Sequence, residues 1–156
     1  GEWGRTADRP PLLAVVCAGT PVVSQADPAM SDTTTHGIRI QARARYVPER
    51  SQPAAKLYFF VYNITITNIG TQTAQLLSRH WIITDGNEHV EEVRGPGVVG
   101  ETPVLTPGQS FTYQSQCVLR TQFGTMRGSY QMVRPDGTSF DAAISPFVLA
   151  LPTAIN

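Results

Sequence analysis

With 156 residues the chain has room for one domain with a hydrophobic core, and not for two of ordinary size. Its 12 basic and 12 acidic side chains cancel, which excludes a net field that would recruit nucleic acid or anionic lipid. A charged fraction of only 15%, with 13 Gly and 12 Pro, favours turn-rich β structure over helices.

Residues 1–29 lack the periodic order of the rest of the chain. Leu12 to Ala18 is a short apolar run preceded by Arg5 and Arg9. It has some features of a secretory signal, but Gly19 and Pro21 interrupt it and it is far too short to span a bilayer. The expectation is a disordered N-terminal extension, native or left by cloning, with the natural start at Met30. One domain then covers residues 30–156, and "MSDTTTHG" is its polar N-terminus.

From His36 onward the period is two. Ile38, Ile40, Ala42, Ala44 and Tyr46 alternate with Arg39, Gln41, Arg43 and Arg45, so one strand face is apolar and the other basic. After Pro48–Pro53, "KLYFFVYNITITN" places Phe60, Tyr62, Ile64 and Ile66 on one face, in the β-branched and aromatic company that strands prefer. "TQTAQLLSRH" is the best helix candidate and reads instead as loop plus strand. "SRHWIITDGNEHVEEV" is a hairpin turning at Asp85-Gly86-Asn87. A loop runs from Gly95 to Gly108. Phe111, Tyr113, Ser115, Cys117 and Leu119 then line another strand. Gly124 and Gly128 bracket a further turn, Pro135-Asp136-Gly137 forms the next, and the last strand runs from Phe140 past Pro146 to Leu149. About seven strands separated by turns predict an all-β, two-sheet antiparallel sandwich.

"RGPGVVGETP" contains Gly95, Gly97 and Gly100 at the spacing G-x-G-x-x-G, the phosphate-cradling fingerprint of dinucleotide-binding folds. That chemistry needs a strand, the glycines, and then a helix whose N-terminal amides hold the pyrophosphate. A strand precedes the motif here, but Pro103 and Pro107 come after it and leave room for no helix of useful length. The motif therefore reads as a connecting loop whose glycines supply positive φ. The alternative is a small backbone nest for an anion, with Arg94 as counter-charge.

Other candidates carry less. His36, His80 and His89 lack metal-ligand spacing and no cysteine or carboxylate cluster completes a site, so no metal and no cofactor is expected. His80 reads as a packed or hydrogen-bonding strand residue. Glu91 and Glu92 are adjacent on a strand and point to opposite faces, so they cannot act as a pair. Asp85, Glu88 and Asp136 sit at turns. Cys117 alternates with apolar neighbours and reads as a small buried hydrophobe in a reduced, cytoplasmic protein. Arg39, Arg43 and Arg45 form a basic stripe, either a solvated face or a ligand face.

The run "RHWIITDGNEHVEEVRGPGVVGETPVLTPGQSFTYQSQCVLRTQFGTMRGSYQMV", followed by "FDAAISPFVLALP", closely resembles the ApaG family, with the likeness extending from His36 to Pro152. The resemblance implies an immunoglobulin- or fibronectin-III-like sandwich. It implies a small bacterial protein with relatives in eukaryotic F-box and polymerase-interacting proteins, where such domains are partner-binding modules. It also implies a genetic link to cobalt resistance and magnesium efflux. The family offers no catalytic residues to carry over. Its glycine motif falls on Gly95, Gly97 and Gly100, with pyrophosphate or nucleotide as the ligand in question.

The expectation is therefore a non-enzymatic module for a protein partner, not for nucleic acid or membrane, as a monomer or homodimer. The partner surface would be the Arg94–Pro103 loop and the Arg39, Arg43 and Arg45 face. The alternative is a weak pyrophosphate or nucleotide binder using Arg94, Gly95, Gly97 and Gly100. A direct cobalt or magnesium carrier is disfavoured, because cobalt prefers imidazole and thiolate ligands that this chain scatters.

Overall fold

The computed structural model describes residues 27–152. The extension expected over residues 1–29 falls outside them except for its last three residues. Those three are tied down: the Met30 amide donates to the Asp27 carbonyl, Ala44 N–H to Ala29 and Val148 N–H to Pro28.

Nine strands appear among the described residues: β1 (Met30–Thr35), β2 (Ile38–Tyr46), β3 (Tyr58–Asn68), β4 (Ala74–Asp85), β5 (Val90–Pro96), β6 (Val104–Leu105), β7 (Ser110–Leu119), β8 (Phe123–Val133) and β9 (Ser139–Ala150). They form two antiparallel sheets, ordered β1-β2-β3-β7 and β5-β4-β8-β9, with β6 added to β4. The two-sheet antiparallel sandwich expected from the alternation is the observed architecture. "TQTAQLLSRH" is loop plus strand, β4 opening at Ala74.

The period-two pattern fills the core directly. Ile38, Ile40, Ala42 and Ala44 of β2 and Phe60, Tyr62, Ile64 and Ile66 of β3 are buried against Trp81, Met126, Tyr130, Phe147 and Leu149 of the other sheet. Trp81 is the hub. Its ring meets Tyr62 at 5.4 Å, Phe147 at 6.0 Å and Tyr130 at 6.3 Å, each edge-on, the arrangement that aromatic quadrupoles favour. Asn68 is the one polar side chain fully buried among the described residues, and it is fully used. Its amide donates to the Gln72 and Leu105 carbonyls and its oxygen accepts from Gly70 N–H, which pins β6 beside the end of β3.

One side of the sandwich is sealed. β9 packs against β1 and β2 of the opposite sheet, with Thr35 Oγ1 accepting from Ala143 N–H at 3.3 Å. The other side, between β5 and β7, has no such seam and opens as a cleft.

Three expectations need correction. Gly124 and Gly128 do not bracket a turn; both lie inside β8. They are glycines because the neighbouring strand passes too close: a Cβ at Gly128 would lie 2.0 Å from the His80 carbonyl oxygen, and one at Gly124 2.6 Å from that of Thr84. The β8–β9 register also shifts between Met126 and Gly128, the bulge that glycine in a strand often marks. "MSDTTT", read as a polar N-terminus, forms edge strand β1, invisible to a hydrophobic pattern because its six residues contain one apolar side chain. The loop expected from Gly95 to Gly108 is interrupted, since Gly95 and Pro96 end β5 and Val104–Leu105 form β6.

Gly128→Ala should therefore destabilise the fold by about 2–3 kcal/mol, a lower urea midpoint at unchanged slope, since the clashing atom is backbone and cannot swing away. A midpoint equal to that of the wild type would mean the strands are not this close.

Candidate functional site

The glycine motif is a tight hairpin built onto the end of β5. Val98 N–H donates to the Glu101 carbonyl at 2.8 Å and Glu101 N–H returns the bond to Val98 at 2.9 Å. Between them Val99 and Gly100 both have positive φ, 43° and 81°, the signature of a two-residue type I′ turn. The next element after the hairpin is β6, not a helix. Val98 itself is a core residue, 1% exposed, so the loop is part of the fold.

Each glycine has a mechanical reason. Gly97 has φ 60°, and a Cβ there would sit 2.4 Å from the Glu101 carbonyl oxygen. Gly100 lies at a left-handed turn position in open space. Gly95 makes room for a guanidinium: a Cβ on it would come within 2.8 Å of Arg79 Nη2. Arg79 Nη1 then donates to the carbonyls of Pro96 and Gly97, both at 2.9 Å. The site's main organiser is thus Arg79, on β4, a residue that belongs to no motif and is absent from the expected site. Its one signal in the sequence is its phase. Trp81 and Ile83 point inward, and Arg79 falls on the same alternation, a cation at a core-facing position.

The loop's amides are largely committed. Gly97 N–H donates to the Leu77 carbonyl at 2.8 Å, and the Val98 and Glu101 N–H groups bond each other's residues. From Gly97 to Glu101, only the amides of Val99 and Gly100, at the hairpin tip, lack a partner among the described residues. A phosphate cradle needs several convergent N–H groups, and this loop has aimed most of its own at the protein. Arg94 is 71% exposed and 3.8 Å from Glu92 Oε1. It lines a shallow groove of about 640 Å³ with Ser78, His80, Gln131 and Asp141.

The basic stripe is placed elsewhere. Arg39, Arg43 and Arg45 share the outward face of β2, in the other sheet. Arg39 is held by Asp32 of β1 through two bonds of 2.9 and 2.6 Å, and that pairing lowers the Asp32 pKa. Arg43 and Arg45 are exposed, with no carboxylate partner among the described residues. The structure does not bring this stripe and the glycine loop into one site.

The histidines are dispersed. His80 Nε2 bonds Glu92 Oε1 at 2.8 Å, His36 stacks edge-on against Phe140, and His89 closes the β4–β5 turn with its N–H on Asp85. Glu91 points to the opposite face from Glu92, into the inter-sheet cleft of about 360 Å³ that Arg79, Tyr62, Ser115 and Cys117 also line. Burial, and secondarily the Glu91 carboxylate, push the Cys117 thiol up to about 12, which disfavours the nucleophilic thiolate at neutral pH. Tyr113 and Tyr130, joined by a hydrogen bond between their hydroxyls, are likewise raised by burial.

Fold and site together define a small antiparallel β-sandwich in which the glycine motif closes a hairpin turn and the three histidines are dispersed. A family model described as the ApaG domain matches residues 48–134. The chain is 57% identical to Protein ApaG of Azotobacter vinelandii and 56% identical to that of Dechloromonas aromatica, in each case over 81% of this chain and the whole of the relative. The crystal structure of the ApaA protein from Bordetella pertussis superposes with a TM-score of 0.73 at 49% identity, covering 77% of this chain and 98% of that one. The chain belongs to the ApaG family.

This geometry has two measurable consequences. Val99→Asn should raise stability by about 1 kcal/mol, because a β-branched residue at positive φ is strained and Asn-Gly is the preferred type I′ pair; an unchanged or lower unfolding midpoint would contradict it. Stability should also fall as pH rises above about 9, where the unfolded Cys117 thiol loses its proton while the buried one keeps it. Cys117→Ala should remove up to about 1.4 kcal/mol per pH unit from that slope in urea titrations between about pH 9 and 10.

Proposed function

We propose that this protein is a non-enzymatic binding module that works by engaging a protein partner in the cytoplasm. Any effect on cobalt resistance or magnesium efflux then passes through that partner. The observation that carries this reading is the state of the motif. Its glycines accommodate Arg79, a backbone carbonyl and a turn, and its amides bond the protein. These commitments count against the motif as a nucleotide grip and so support the protein-binding reading. Two further facts agree. The thiol is held protonated, and the three histidines are each engaged separately rather than converging on an ion.

The surface proposed for the partner is the outward face of β2, where Arg43 and Arg45 project without carboxylates to neutralise them among the described residues. Exposed arginines on a strand suit an acidic partner segment, since a guanidinium grips a carboxylate bidentately. Arg94 and the hairpin tip offer a second contact on the other sheet.

Affinity capture from the native cell tests the reading. Arg43→Glu with Arg45→Glu should release the partner that the wild type retains, while calorimetry with millimolar pyrophosphate, ATP or GTP should give no heat. Retention of every partner by the double variant would remove the proposed surface. Binding heat abolished by Arg94→Ala would instead favour an anion site at Val99 and Gly100. Arg94→Ala is the informative change, because Gly97→Val disturbs the hairpin whether or not anything binds there.

A further inference from the structure

The two sheets have four edges, and three are protected. β1 and β9 cover each other across the sealed side. β5 carries Glu91, Glu92 and Arg94 and ends in Pro96, the charges and proline that discourage pairing with another chain. β7 has none of these devices. Its ten residues, Ser110–Leu119, contain no charge and no proline, and they pair with β3 in unbroken register. The Asn68 N–H bond to the Gln109 carbonyl sets the antiparallel alternation. It turns the backbone groups of Phe111, Tyr113, Ser115 and Cys117 toward β3. Those of Thr112, Gln114, Gln116 and Val118 face away, with nothing among the described residues to receive them. Val118 is also 49% exposed.

We propose that β7 is a self-association edge. Two copies pair β7 antiparallel about a two-fold axis at Gln114, joining their four-stranded sheets into one continuous sheet. A second copy fits this edge because the run is neutral: antiparallel pairing of β7 with itself sets no like charges opposite one another in any register. The chain's formal net charge of zero adds no repulsion at longer range. With the axis at Gln114, the outward amides face each other, Thr112 faces Gln116 of the partner subunit, and Ser110 faces Val118 of the partner subunit. A strongly charged partner strand would find only hydroxyls and amides along β7 and gain nothing from its charge.

Sedimentation of the full chain at neutral pH tests this, with the dimer fraction expected to rise with concentration through the micromolar range. Gln114→Lys and Gln114→Glu each set like charges opposite across the axis, so each alone should dimerise at least about fivefold more weakly. Gln114 is exposed and its backbone faces away from β3, so both variants should keep the wild-type unfolding midpoint at concentrations where the wild type is monomeric. Mixing the two variants should restore the dimer, because Lys then faces Glu. A wild type that stays monomeric up to hundreds of micromolar would overturn the proposal. So would single variants that dimerise as well as the wild type, or a mixture that does not recover.

Discussion

A backbone N–H has one hydrogen bond to give, and most of what this protein is depends on where those bonds go. In the glycine motif they go inward, to Leu77 and across the Val98–Glu101 hairpin, while Arg79 takes up the carbonyls of Pro96 and Gly97. A run of residues that elsewhere presents convergent amides to a phosphate here closes a turn. The spacing of the glycines is the same, but the physical demand on them is different. In the dinucleotide fold glycine clears space for a ligand; here it clears space for a guanidinium and a carbonyl of the same chain.

The asymmetry of the sandwich reflects the same constraint. On one side β9 and β1 meet, so the edges there are covered. On the other side β5 and β7 stand apart, leaving a cleft floored by Tyr62 and Trp81 and rimmed by Arg79 and Glu91. Cys117 lies in this cleft, and burial there raises its thiol pKa.

Much of this is legible in the sequence, and the reason is geometric. Where a strand is half buried, alternation is forced, so β2 and β3 can be assigned with their faces. The missing helix after Gly100 is legible too, because Pro103 and Pro107 exclude it. The failures share a cause: they concern strands whose residues answer to close neighbours rather than to a core. β1 is polar because its outward side chains meet solvent. Gly124 and Gly128 read as turn punctuation because nothing local shows that the β4 backbone passes within contact distance. Arg79 is marked only by its phase, which motif reading does not weigh. The three arginines of β2 look equivalent along the chain, and only the pairing of β1 shows that Asp32 neutralises one of them.

The motif's commitment to the fold is tested most directly by amide hydrogen exchange, resolved residue by residue across the hairpin in the absence of ligand. The amides of Gly97, Val98 and Glu101 should exchange slowly, with only Val99 and Gly100 exchanging at the rate of open chain. Fast exchange at all five would show that these groups are available to a ligand, and the structural account of the motif would fail.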